Sequence, residues 1–294
     1  MMATFQGSLT ALITPFHEEG IDEASYIKLI EWQIEQGSHG LVPCGTTGET
    51  PTLSHEEHRR LIELCVKTAS GRVPVMAGCG SNSTQEAVSL VRYAESVKAD
   101  GVLVVSPYYN KPSQEGLYQH FKAVAEATAL PVYLYNIPGR CVVDIEPHTM
   151  ARLATLPSIA GVKDASNDMT RVMTIRQDIG AHFSQLSGED ATIVPFLAMG
   201  GHGCISVTAN VAPQLCAQLH NAWQKKQWQE VERLNALLFP LHKALFVEPN
   251  PSPVKYVASC LGLCAPLVRL PLVPIAPETE RLLRSLVERL ALAS

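Results

Sequence analysis

Eight short runs rich in valine, isoleucine and leucine recur through the first two thirds of the chain. They are Leu9–Thr14, Gly40–Pro43, Val73–Ala77, Val102–Ser106, Val132–Tyr135, Ile159–Lys163, Phe183–Leu186 and Cys204–Val207. Most are continuous apolar runs and lack the alternation of a strand with one wet face, which marks parallel strands covered on both sides. Their starts fall roughly 30 residues apart, the length of a strand–helix unit. Helical patterns fill the gaps: Tyr26–Glu35 behind Asp22, Glu56–Ala69 behind Ser54, Ala87–Val97 behind Ser83, then Gln114–Ala127, Pro147–Ala154 and Met169–Ile179. Ser54 with Glu57, and Ser83 with Glu86, carry the capping-box spacing of a helix start. Eight such units in order predict an α/β fold, the (β/α)8 TIM barrel.

From about Pro213 the pattern becomes helical only, with Gln214–Gln224, Gln227–His242, Val254–Leu261 and Glu278–Ala291 separated by proline-rich links. We expect a barrel catalytic domain over residues 1–224 and a C-terminal helical region over 225–294.

Composition narrows the function classes. Of the 294 residues, 46% are hydrophobic and 17% charged, which allows a large packed core and argues against a disordered chain. The formal charge is −5 and no basic run stands out, so neither nucleic acid nor an anionic membrane is an expected partner. No apolar stretch reaches the roughly 20 residues of a membrane helix. The opening MMATFQGSLT shows neither a basic nor an apolar run, so no signal peptide is expected. The eight cysteines, among them Cys65, Cys141 and Cys216, form no CxxC pair. They read as reduced core thiols of a cytoplasmic protein. Cys260 and Cys264 are spaced as neighbours on one helix face.

In a (β/α)8 barrel the chemistry sits at the C-terminal ends of the strands. Lys163 ends the sixth run. Burial disfavours an ammonium and frees an amine lone pair to attack a carbonyl; the alternatives are a lysine paired with Asp164 or one reaching solvent. Tyr135 ends the fifth run, where a phenol either relays a proton or packs. Tyr133 stands two residues earlier, so one of the two is expected in the core. Arg140 follows in a loop and suits bidentate capture of a carboxylate, or is a solvated charge. Gly45-Thr46-Thr47-Gly48-Glu49 follows the second run, a tight loop whose backbone N–H groups and hydroxyls could hold a small carboxylate. Pro107-Tyr108-Tyr109 follows the fourth run and Ser187-Gly188-Glu189-Asp190 the seventh. Gly78-Cys79-Gly80 lacks the third glycine of a dinucleotide fingerprint. His55 and His58 have no third ligand of metal-site spacing, so a helix-start pair is the simpler reading.

Taken in order, Gly45–Glu49, Pro107–Tyr109, Tyr135-Asn-Ile-Pro-Gly-Arg140, Gly161-Val-Lys-Asp164 and Ser187–Asp190 resemble the dihydrodipicolinate synthase/N-acetylneuraminate lyase family, from about residue 5 to the C-terminus. The resemblance implies a Schiff-base (class I) aldol condensation of pyruvate with L-aspartate 4-semialdehyde, a step of lysine and diaminopimelate biosynthesis, without metal or organic cofactor. A pyruvate aldolase or lyase acting on a sugar acid is the alternative. It implies that Lys163 forms the imine and that Tyr135, Thr46 and Tyr109 relay protons, Tyr109 across a tight-dimer interface. Thr47 would help hold the pyruvate carboxylate, Arg140 would receive the carboxylate of the aldehyde substrate, and Gly188 and Ile205 would line the site through backbone groups. It further implies a homotetramer built as a dimer of dimers. An L-lysine effector site would fall at His55, His58, Asn82, Glu86 and Tyr108.

Overall fold

The structure is a computed structural model that describes residues 5–292, and it divides into two compact units. One joins the chain up to Gln6 with Pro74–Ile205; the other joins Gly7–Val73 with everything from Ser206 on. A parallel strand is found at each of the eight predicted places. They are β1 (Gly7–Ala11), β2 (Gly40–Val42), β3 (Met76–Gly78), β4 (Gly101–Val105), β5 (Val132–Asn136), β6 (Ile159–Asp164), β7 (Ser184–Ser187) and β8 (Gly203–Ser206). A helix follows each of them, and this alternation is the (β/α)8 class the sequence predicts. A two-residue hairpin, Phe16–His17 against Gly20–Ile21, was not predicted. Nor was the helix Ile193–Ala198, whose internal Pro195 masks the helical pattern.

In the first unit the strands lie in chain order from β3 to β8, so each connection is the short crossover that parallel strands require. In the second unit β1 pairs β2, with Thr10 opposite Leu41. The predicted first strand ran on to Thr14, but pairing stops at Ala11. The Leu12 amide still donates to the Val42 carbonyl at 3.0 Å, but the buried Ile13 turns its amide to Asn210 Oδ1 at 2.9 Å, so burial runs on past the end of the sheet.

Helix starts follow the predicted caps closely. Helix His55–Ala69 carries the full capping box of Ser54 and Glu57. Helix Thr84–Ser96 carries half of one: Ser83 accepts from the Glu86 amide, but the Ser83 amide donates to Ser81 Oγ and the Glu86 carboxylate accepts from that same hydroxyl. The C-terminal helices are Pro213–Gln224, Trp228–Ala244, Ser252–Cys260 and Pro277–Arg289. Cys260 ends its helix, and Gly262 at φ +68 turns the chain away, so Cys264 does not share a helix face with it. None of the eight cysteines is in a disulfide, and six of them are buried.

One glycine permits a close approach of strands near the chemistry. Gly161 of β6 lies opposite Tyr133 of β5 and Ser184 of β7. A Cβ there would meet the Ser184 carbonyl oxygen and stand 2.7 Å from Tyr133 Cε1. Tyr133 uses that space to pack edge-on against Phe5, with centroids 5.5 Å apart. Gly161→Ala is expected to destabilise the protein by about 1–3 kcal/mol through overpacking. Urea denaturation checks it; an unchanged midpoint would contradict this packing.

Candidate active site

Tyr135 and Lys163 are direct partners in the β5–β6 ladder, and Asn136 and Asp164 are the next pair out. Side chains two apart on a strand share a face, so Gly161 and Lys163 point the same way, as do Tyr133 and Tyr135. Tyr133 is the packing tyrosine, and burial pushes its phenol above the ordinary tyrosine range. Tyr135 is one layer further along, with Lys163 Nζ 4.2 Å from its ring centroid.

Lys163 does not reach solvent: 7% of the residue is exposed. It also has no ion-pair partner among the described residues, because Asp164 is engaged elsewhere. The Asp164 carboxylate accepts from the Ser166 amide at 2.8 Å, from Asn136 Nδ2 at 3.3 Å and from Arg171 Nε at 3.2 Å. Arg171 also donates to Asp144 at 2.9 Å and to the Ile145 carbonyl at 2.7 Å. Asn136 donates to Asp144 and accepts from the Ile145 amide. This network satisfies the Asp164 carboxylate without the lysine. It leaves Lys163 buried, with its Nζ over the Tyr135 ring.

Gly188 makes room for that amine. A Cβ on Gly188 would sit 3.1 Å from Lys163 Cε and 2.7 Å from Ala165 Cβ. Its own N–H donates to the Asp164 carbonyl at 2.7 Å, so only its carbonyl remains for a ligand. Ile205 is buried on β8. Arg140 sits exposed in the four-residue helix Pro138–Cys141, with no ion pair among the described residues. Tyr109 is 92% exposed, with φ +71. It occupies the middle of a three-residue turn closed by the Asn110 amide on the Tyr108 carbonyl. A non-glycine residue held in the left-handed region costs of order 1–3 kcal/mol and clusters at functional sites.

The second unit holds Thr46 and Thr47. Thr46–Gly48 is a single 3-10 turn whose Gly48 and Glu49 amides bond back to Gly45 and Thr46, so two of the five loop N–H groups expected for a ligand are used internally. Thr47 is 3% exposed and accepts from Asn250 Nδ2 at 3.0 Å. Glu49 is fully inside, where Lys255 Nζ donates to it at 2.7 Å and the Arg269 amide at 2.9 Å. Burial pulls Lys255 below the ordinary lysine range, with Glu49 opposing.

The residues expected at an effector site divide in the same way. In the first unit, Asn82 donates to the Tyr108 carbonyl at 3.2 Å and accepts on its own carbonyl from Asn110. Burial, then the nearby Glu86 charge, raise the Tyr108 phenol. In the second unit, His55 lies exposed at the helix start and His58 is buried one turn on. Among the described residues, no group of three or more His, Cys, Asp or Glu could hold a metal ion. No helix there is long and apolar enough to cross a membrane.

Sequence reasoning missed the Asn136–Asp144–Arg171 network and the Asn250, Lys255 and Arg269 supports of the threonine turn. An arginine inside a helix start and a lysine inside the apolar Val254–Val257 run were the available signals.

Comparison with known proteins agrees with this geometry. The dihydrodipicolinate synthetase family model matches residues 4–290. The 4-hydroxy-tetrahydrodipicolinate synthase of Rhodospirillum centenum is 60% identical over 281 residues, 96% of this chain and 97% of that one. The crystal structure of dihydrodipicolinate synthase from Aquifex aeolicus superposes with a TM-score of 0.96 at 44% identity, covering 98% of this chain and 99% of that one. A structure of the enzyme from Cyanidioschyzon merolae with lysine bound gives 0.95 at 35% identity, covering 98% and 99%. The strand-end lysine and tyrosine thus stand in a chain that belongs to the dihydrodipicolinate synthetase family.

Proposed function

We propose that Lys163 is the Schiff-base nucleophile of this enzyme, a lyase that condenses pyruvate with L-aspartate 4-semialdehyde to 4-hydroxy-tetrahydrodipicolinate. The observation that carries this reading is the buried Lys163 amine, without an ion pair among the described residues and seated on the Tyr135 ring. Its lone pair adds to the pyruvate keto carbon, and loss of water leaves an imine. The imine draws electrons from the methyl carbon, which gives up a proton and becomes an enamine. That carbon attacks the aldehyde. The amine of the condensed product then displaces Lys163 and closes the six-membered ring, restoring the free lysine.

Tyr135, Thr46 and Tyr109 are assigned to the proton relay, Tyr109 being supplied to a neighbouring subunit. The exposure of Tyr109 and its strained, Asn82-braced turn support that assignment. Thr47 is assigned to the pyruvate carboxylate and Arg140 to the carboxylate of the aldehyde, with Gly188 and Ile205 lining the site. General acid–base help of this kind contributes on the order of 10²–10⁴-fold. The enzyme would work in the cytoplasm as a homotetramer, a dimer of tight dimers, with the barrel chemistry in residues 1–224.

The lysine-bound relative and the proximity of Asn82, Glu86 and Tyr108 support an L-lysine effector site. A coupled assay with pyruvate and aspartate semialdehyde tests both readings. Turnover of this pair, no cleavage of N-acetylneuraminate, and slower initial rates in millimolar L-lysine are expected. Sugar-acid cleavage alone would overturn the substrate assignment. Unchanged rates in millimolar lysine, with no binding heat, would overturn the effector site.

A further inference from the structure

Asn250 is a buried amide with only half of its hydrogen bonding met. The residue is 7% exposed, and its Nδ2 donates to Thr47 Oγ1 at 3.0 Å across 203 residues of chain. Its Oδ1 is buried without a partner among the described residues. A buried amide oxygen left unpaired costs stability, and such groups in a folded protein call for a functional reason. Since the Thr47 bond is the one this side chain makes among the described residues, the amide is not serving a wider structural network.

The direction of that bond has a consequence for Thr47. A hydroxyl has one hydrogen and two lone pairs. The amide N–H occupies a lone pair, and the hydroxyl hydrogen has no acceptor among the described residues. It is therefore available for an external acceptor. The turn bearing it cannot rotate, because the same C-terminal segment grips it twice. Asn250 holds Thr47, and Lys255, on the helix that begins at Ser252, holds Glu49 at the end of the turn. Glu49 stands at φ +56 and takes the Arg269 amide on its other oxygen.

We propose that Asn250 is a positioning residue that fixes the polarity of the Thr47 hydroxyl, donating to its oxygen so that the hydroxyl donates to the keto-acid carboxylate. This rests on the assignment of Thr47 to that carboxylate. A hydrogen bond held equally in ground state and transition state affects KM more than kcat.

The test uses the full-length variants Asn250→Ala, Asn250→Asp, Thr47→Val and the double Thr47→Val/Asn250→Ala, with kcat and both KM values measured. Asn250→Ala is expected to raise KM for pyruvate by about 10–100-fold, the size of a lost bond to a charged group. Its kcat should stay within about threefold and KM for the aldehyde should hold. Asn250→Asp should be worse for pyruvate than Asn250→Ala, because a carboxylate takes the hydroxyl hydrogen and adds a like charge. The double variant should be no worse than Thr47→Val, since Asn250 acts through Thr47. Asn250→Ser stands in should the alanine variant fail to fold, with the same KM split expected. An unchanged pyruvate KM, or losses that multiply in the double variant, would overturn the role of Asn250. Borohydride trapping of pyruvate on wild-type protein separates the two layers. No adduct removes the parent reading, whereas an adduct with unaltered KM in the Asn250 variants removes only this one.

Discussion

Lys163→Ala is expected to lower kcat/KM for the condensation by at least ~10³-fold, since covalent electron-sink chemistry has no substitute once the nucleophile is gone. The fold should survive. The substitution removes an amine with no ion-pair partner, and the neighbouring charges satisfy one another through Asp164, Arg171, Asp144 and Asn136. Circular dichroism and the thermal midpoint should therefore stay close to wild type while turnover collapses. Lys163→Arg should be as inactive, because a guanidinium keeps its charge and offers no amine to form an imine. Residual activity within tenfold of wild type in either variant would show that the amine is not covalent in the reaction.

Lys255→Met is expected to destabilise the protein by about 3–5 kcal/mol, the cost of leaving a buried carboxylate without its partner. Both side chains of the Lys255–Glu49 pair are shut away from water, at 0% and 1% exposure, and 2.7 Å apart. Lys255 Nζ and Arg269 Cζ lie 4.1 Å and 4.2 Å from the centroid of the buried Phe16 ring, so the cationic side of the pair is cushioned by an aromatic face. Removing one partner strands Glu49 at the end of the Thr46–Thr47 turn. Replacing both with apolar residues of similar volume, as in Lys255→Met/Glu49→Leu, should recover much of the stability. Turnover should not recover, because the turn has lost its anchor. Urea denaturation of the three variants checks this; a Lys255→Met midpoint equal to wild type would show the pair to be energetically idle.

Legibility differed between the scaffold and the supports of the site. The parallel strands were readable because burial on both faces leaves a continuous apolar run, and the helix starts because serine and glutamate caps have a fixed spacing. Strand ends were less readable. Leu12 and Ile13 look like strand to the eye, yet Asn210 takes over the Ile13 amide from nearly 200 residues away, and nothing local announces it. Position marked Lys163 and Tyr135 as candidates beside the alternatives of a solvated or paired lysine and a packing tyrosine, and their pairing across β5 and β6 depends on register. That register includes an irregularity between Val132 and Tyr133, where β6 skips Ala160 and brings Gly161 opposite Tyr133, with no local signal for it. The supports were the least legible. Asn250, Lys255 and Arg269 reach the threonine turn from more than 200 residues along the chain, and Lys255 hides in an apolar helical run where a charge is easily taken for a solvated one. Glu86 shows the converse: its spacing from Ser83 fits a capping box, but a second hydroxyl, Ser81, captures the Ser83 amide and the Glu86 carboxylate.

The most direct measurement is chemical trapping. The protein is incubated with pyruvate, reduced with borohydride, digested and mapped by mass spectrometry. A single pyruvate-derived adduct on Lys163, with irreversible loss of turnover, is the expected result. No adduct, or one carried by the other buried lysine, Lys255, would contradict the assignment of Lys163 as the reacting amine.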